Sequence, residues 1–122
     1  MRYTKEEISR ARDLRNAGLE WRPRLGDWFV TNDGFVAFVQ GNGDGLHAKL
    51  HHTWLPHWSQ CRDWLRRHGF THPEFARDDI GHIRIEFIGP QRDIVSGTGG
   101  TDLACIYEIM SKIIERKGRP PN

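Results

Sequence analysis

Ser96-Gly97-Thr98-Gly99-Gly100-Thr101 is a run of small residues rich in backbone amides and hydroxyls, and it leads into a segment with helical periodicity. Amides, hydroxyls and the positive end of a helix dipole would converge there, which is the chemistry of holding an anion such as phosphate. The spacing is not that of a nucleoside-triphosphate loop, since GxxxxGK[ST] is absent and no Lys follows. Nor is it a dinucleotide fingerprint, because the strand-helix-strand unit and downstream ribose acid are lacking. Asp102 also carries a charge that repels an anion. A flexible strand-to-helix connector is the competing reading of the same residues.

Three other groups of side chains bear on chemistry. His47, His51, His52 and His57 cluster in sequence, and His57 and Cys61 are four apart, as two ligands on one helix would be. Zinc needs three or four such ligands, and neither a CxxC pair nor HExxH is present. Cys61 and Cys105 would need exposure and a nearby base to act as nucleophiles, but both fall on apolar helix faces and read as buried reduced thiols. Asp78-Asp79 with His82 and Glu86 reads as a solvated turn beside a strand. A small hydrolase or metal-binding enzyme built on these groups is a further alternative, but no catalytic residue, metal or cofactor is assigned.

Aromatic residues are more informative. Five Trp in 122 residues is generous for a small core. Trp21-Arg22 and Trp64-Leu65-Arg66-Arg67 pair indole with guanidinium, the combination that stacks on bases, grips phosphate and anchors protein interfaces. The candidate ligand set is Ser96, Gly97, Thr98, Gly99, Gly100 and Thr101 with Arg84, Trp21 and Arg22. The candidate interface set is Trp64, Arg66 and Arg67.

The elements that must position these residues follow from periodicity and capping signals. Residues 101–117 form an amphipathic helix with Leu103, Ile106, Met110 and Ile113 on one face and Thr101 as its N-cap. Thr4 and Glu7 form a capping box opening a helix that Gly18 closes. A third helix spans about 57–68 after Pro56, with Trp58, Cys61 and Leu65 on one face and Gly69 as its stop. Residues 28–31 and 35–39 flank Asn32-Asp33-Gly34 as a hairpin. A turn at 41–45 leads to a third strand at 46–51. Residues 72–79 read as a loop, 82–87 alternate as a half-exposed strand whose wet face carries His82, Arg84 and Glu86, and 93–96 form a short last strand. The expected fold is α+β: one antiparallel sheet of about five strands with three helices packed mainly on one face, in the order αβββαββα. Residues 1–118 would be a single domain and 119–122 a mobile tail.

Charge limits the partners. Eighteen basic and 16 acidic residues leave a formal net charge of +2, too balanced to imply nucleic acid by itself, although it is not excluded. No apolar run approaches membrane-spanning length and the N-terminus lacks a signal-peptide core, so a cytoplasmic location and no membrane partner are expected. An edge strand or a wet sheet face could pair with a second copy.

Ala17-Gly18-Leu19-Glu20-Trp21-Arg22-Pro23, then Leu25-Gly26-Asp27-Trp28, then Trp54-Leu55-Pro56 opening a helix, together resemble small uncharacterised proteins of phages and prophages of Gram-positive bacteria. The resemblance transfers no functional residue. It implies a non-enzymatic binder working in the host cytoplasm. Such a protein would capture a phosphorylated small molecule or nucleotide signal used in host defence, or inhibit a host protein.

Overall fold

Caps open the helices largely where the sequence places them. In this computed structural model, which describes residues 2–41 and 43–118, α1 (Lys5–Ala17) begins at Thr4. Thr4 Oγ1 accepts from the Glu7 amide at 3.0 Å and Glu7 Oε1 accepts from the Thr4 amide at 2.7 Å. Gly18 closes the helix at φ 104°, a left-handed conformation that glycine adopts without a Cβ penalty. The remaining elements are β1 (Trp28–Val30), β2 (Val36–Phe38), α2 (Asp44–His51), β3 (Thr53–Trp54), α3 (Trp58–Arg67), β4 (Thr71–Arg77), β5 (Ile83–Ile88), β6 (Ile94–Gly99) and α4 (Asp102–Gly118). The tail expected to be mobile, 119–122, lies outside the described residues, as does Asn42 of the second turn.

The class is α+β, but the layout differs from the expected single sheet. Among the described residues two three-stranded antiparallel sheets form, ordered β2-β1-β3 and β4-β5-β6, with four helices. Residues 46–51 are helix rather than strand. Leu46 and Leu50 face solvent while Ala48 is buried, so the apolar alternation that suggests a strand does not mark a buried face. Residues 72–79 are mostly strand rather than loop. β4 pairs with β5 through a bulge between Thr71 and Glu74, where His72 has φ 57°, and its near-complete exposure hides it from a periodicity test. The last strand runs through the glycine segment to Gly99 instead of ending at Ser96.

β5 alternates as expected. Ile83, Ile85 and Phe87 are buried, while on the outer face Arg84 pairs with Glu86 at 2.7 Å. One core joins both sheets and α1, α3 and α4, and α4 supplies Cys105, Ile106, Tyr107, Ile109, Met110 and Ile113 to it. Each such aliphatic side chain contributes about 1.5–3 kcal/mol on full burial. The Tyr107 hydroxyl donates to the Pro56 carbonyl and Tyr3 donates to that of Leu55, which ties α4 and the segment ahead of α1 to the joint between β3 and α3. A smaller cluster of Trp21, Val39 and Ala48, flanked by Phe29 and Trp54, sits beside the first sheet. No helix of the described residues is long and apolar enough to cross a membrane.

Candidate functional site

The glycine segment does not form an anion cradle. Gly97 and Gly99 are buried positions of β6 under α4. A Cβ at Gly97 would collide with the Cys105 carbonyl and come within 2.9 Å of Ile109 Cγ1. The segment's polar groups are already taken by the chain itself. The Gly100 amide donates to Glu6 Oε1 at 2.8 Å, and Thr101 Oγ1 donates to Glu7 Oε2 at 2.7 Å while accepting from the Ala104 amide at 3.1 Å. Ser96 O accepts from Lys112 Nζ at 2.7 Å and Thr98 O accepts from Arg10. Glu6 and Glu7 thus supply internally the negative charge that a ligand would bring.

The other members of the ligand set lie apart. Arg84 is on the outer face of β5 with Glu86, and exposed Arg22 meets Glu20 at 3.5 Å. In the interface set, Trp64 is half-buried and stacks on His68 at 3.9 Å. Arg66 pairs with Asp63 at 2.9 Å, and Arg67 reaches the Asp63 carbonyl at 3.4 Å. None of the five indoles is exposed.

Trp21 is the member that lines a cavity. The cavity, about 220 Å³, lies among Ala11 and Arg15 of α1, Leu19, Glu20 and Trp21 of the connector, Lys49 of α2, and His52 and Trp54. Its aromatic lining is Trp21 and Trp54, near-parallel at 6.0 Å and 3°, with His52, which is backed by Phe29 at 5.0 Å and 4°. Asp27 fixes the Trp21 ring from behind. Buried Asp27 Oδ2 accepts from Trp21 Nε1 and from the Arg24 amide, both at 3.0 Å, and Oδ1 accepts from Gln60 Nε2 of α3 at 2.9 Å. Arg15 is steadied by donating Nη2 to the Leu50 carbonyl at 3.2 Å.

Behind this lining, buried His52 Nδ1 and Trp54 Nε1 have no hydrogen-bond partner among the described residues, as is also true of Ser111 Oγ on α4. A buried polar atom left unpaired costs about 1–3 kcal/mol, so native proteins rarely keep one without a use for it. His47 and His51, four apart on α2, approach to 4.6 Å, and His47 meets His52 edge-on at 5.3 Å. Among the described residues no three His, Cys, Asp or Glu side chains come together as a metal ion requires. His57 instead caps α3, its Nδ1 accepting from the Gln60 amide at 3.4 Å. Both thiols are free and buried. Burial pushes the Cys61 thiol far up and that of Cys105 to about 11, so neither is a thiolate at neutral pH. Asp78 accepts from the amides of Ile80 and His82, closing the β4–β5 turn.

Burial lowers the His52 imidazole from its ordinary value of 6.5, with His47, His51 and Arg15 acting in the same sense and a contact to the His51 backbone opposing them. Because the folded-state value is the lower one, the unfolded chain takes up the proton first as pH falls through about 6.5. Stability contributed above that pH is therefore lost below it. Thermal unfolding should show a lower midpoint at pH 5.5 than at pH 7.5, and His52→Gln should flatten that difference. An unchanged pH slope in the variant would show that His52 is not the group responsible.

A second cavity, about 280 Å³, lies among Arg2, Tyr3, Glu7, Trp58, Asp102 and Leu103. Burial and the Glu7 charge push the Tyr3 hydroxyl up to about 12. Two carboxylates make this cavity a poor host for an anion.

The sequence singles out Trp21 and the His47–His52 cluster but not Arg15, Lys49 or Trp54 as site residues. These come from separate elements that only the tertiary fold brings together. Comparison of the chain with known protein families, with characterised proteins and with solved structures finds no match, so the chemistry of the cavity rests on its own residues.

Proposed function

We propose that the protein is a non-enzymatic binder of a small phosphorylated, nucleotide-like molecule, held in the cavity between α1, α2 and β3. The observation that carries this is a cavity walled by the Trp21–Trp54 stack that also presents Arg15 and Lys49. Arg15 and Lys49 offer charge-assisted donors, and the indoles of Trp21 and Trp54 offer apolar ring surface. Glu20 lines the same cavity and opposes an anion, but Arg22 at 3.5 Å offsets its charge. At about 220 Å³ the space is below the roughly 300–1,000 Å³ of clefts that take a drug-sized ligand, so it encloses one end of the ligand and leaves the other in solvent. In the setting the resemblance implies, such a phage-encoded protein would sequester a phosphorylated signal in the host cell.

Calorimetric titration with a panel of linear, cyclic and ADP-ribose-derived nucleotides tests this. At least one should bind, and Arg15→Gln should weaken it roughly tenfold or more, the scale of one charge-assisted hydrogen bond. Affinity should rise from pH 8 to pH 6, because a bound anion favours the protonated His52. Gly100→Ala, which meets nothing closer than Glu6 Oε1 at 3.5 Å, should leave binding unchanged. Silence across the panel, or affinity indifferent to both Arg15→Gln and Trp54→Phe, would end the proposal. It would then favour an inhibitor of a host protein, for which the exposed Leu46 and Leu50 of α2 supply apolar anchors.

A further inference from the structure

The two edges of the second sheet are treated differently. The Asp78 amide donates to the His82 carbonyl at 3.0 Å, so in the β4–β5 register the hydrogen-bonded pairs are Asp78–His82, Ala76–Arg84 and Glu74–Glu86. The N–H and C=O groups of Phe75 and Arg77 therefore point away from β5. By the same alternation Ser96 and Thr98 point their main-chain groups away from β5 on the β6 side, and there Lys112 and Arg10 bind the two carbonyls. Edge strands are commonly blunted with cationic side chains in this way. β4 has no such cover among the described residues. It is a seven-residue strand, exposed over nearly its whole length.

We propose that β4 is the docking surface for a second copy of this chain, joined edge to edge and antiparallel to make one six-stranded sheet. A two-fold axis can relate the strands only if outward-facing residues meet, which restricts its centre to a few positions. Centred on Phe75, the two Phe75 residues exchange both main-chain hydrogen bonds, Glu74 falls opposite the partner's Ala76, and Arg77 falls opposite the partner's Pro73. No like charges meet. Centred on Ala76, Glu74 would face the partner's Asp78, a repulsive pair. The Phe75 register also sets the two exposed Phe75 rings beside each other on the helix side, where each already leans on Trp58 at 6.0 Å. The bulge and Pro73 end the pairing at one side, which keeps the interface short and the dimer reversible.

Sedimentation velocity of the full chain over a dilution series reaching high micromolar concentration tests this. The mass should double at the upper end of the series. Phe75→Pro removes an N–H that the β4–β5 ladder does not use, and it suits the extended geometry of Glu74, so it should stay monomeric with an unchanged far-UV spectrum. Phe75→Glu leaves the backbone free but sets two carboxylates face to face, so it should also stay monomeric, and it serves if the proline variant fails to fold. A wild-type monomer at every concentration, doubling that survives both variants, or a monomer whose edge takes up only an added extended peptide would each overturn the proposal.

Discussion

A single methyl group at Gly97 is expected to lower stability by about 3 kcal/mol, the upper end of the usual cost of overpacking. The Cβ of Gly97→Ala would run into the Cys105 carbonyl and sit 2.9 Å from Ile109 Cγ1, both on α4. Main chain cannot step aside as a flexible side chain does, so the helix must lift from β6 and uncover part of the main core. The neighbouring glycines form a graded control. At Gly99 the added carbon would meet Ala104 Cβ and Glu6 Oε1 at 3.1 Å, and at Gly100 only Glu6 Oε1 at 3.5 Å. Urea denaturation of the three alanine variants should rank their costs in that order, with Gly100→Ala nearly neutral. Equal costs at all three positions would show that helix approach is not what selects glycine here.

Asp27→Ala should cost about 3–4 kcal/mol, because it strands three donors at once. Trp21 Nε1, the Arg24 amide and Gln60 Nε2 all converge on a carboxylate that is only 6% exposed. Gln60 also accepts from the His57 amide at the start of α3, so the loss spreads from the connector to that helix. Asp27→Asn keeps one acceptor oxygen and should lose less. The same substitution frees the Trp21 ring that walls the cavity. Near-UV dichroism should therefore weaken, and ligand affinity should fall further in Asp27→Ala than in Gly99→Ala under conditions where both remain folded. A stability loss within about 1 kcal/mol would mean that solvent reaches these donors and that the knot is not dry.

Local signals in the chain carry the helices well. Thr4 with Glu7, Gly18, Gly69 and Thr101 act through hydrogen bonds that span four or five residues, and these bonds form as expected. The hairpin at Asn32-Asp33-Gly34 and the alternation of β5 are local in the same sense. What escapes a local test is decided at long range. α2 turns Leu46 and Leu50 outward and buries Ala48, the reverse of the pattern that marks a core-facing element. β4 is held mainly by its pairing with β5, with Phe75 against Trp58, and has no apolar period to detect. Ser96 to Gly99 reads as a supple loop because small residues serve two ends, freedom of the backbone and close approach of a neighbour, and only the position of α4 distinguishes them. The cavity is hidden for a related reason. Arg15, Trp21, Lys49 and Trp54 lie on separate segments, and Trp21 alone stands out because an Arg follows it.

The Lys112 and Arg10 bonds to the carbonyls of Ser96 and Thr98 also limit how this molecule can aggregate. A sheet grows without end only when each added strand leaves a fresh vacancy behind it. Among the described residues the second sheet has one uncovered edge and one stopped edge, so a second copy joined through its own β4 would leave only stopped edges outward. Addition along this sheet closes on itself instead of running on into a fibril.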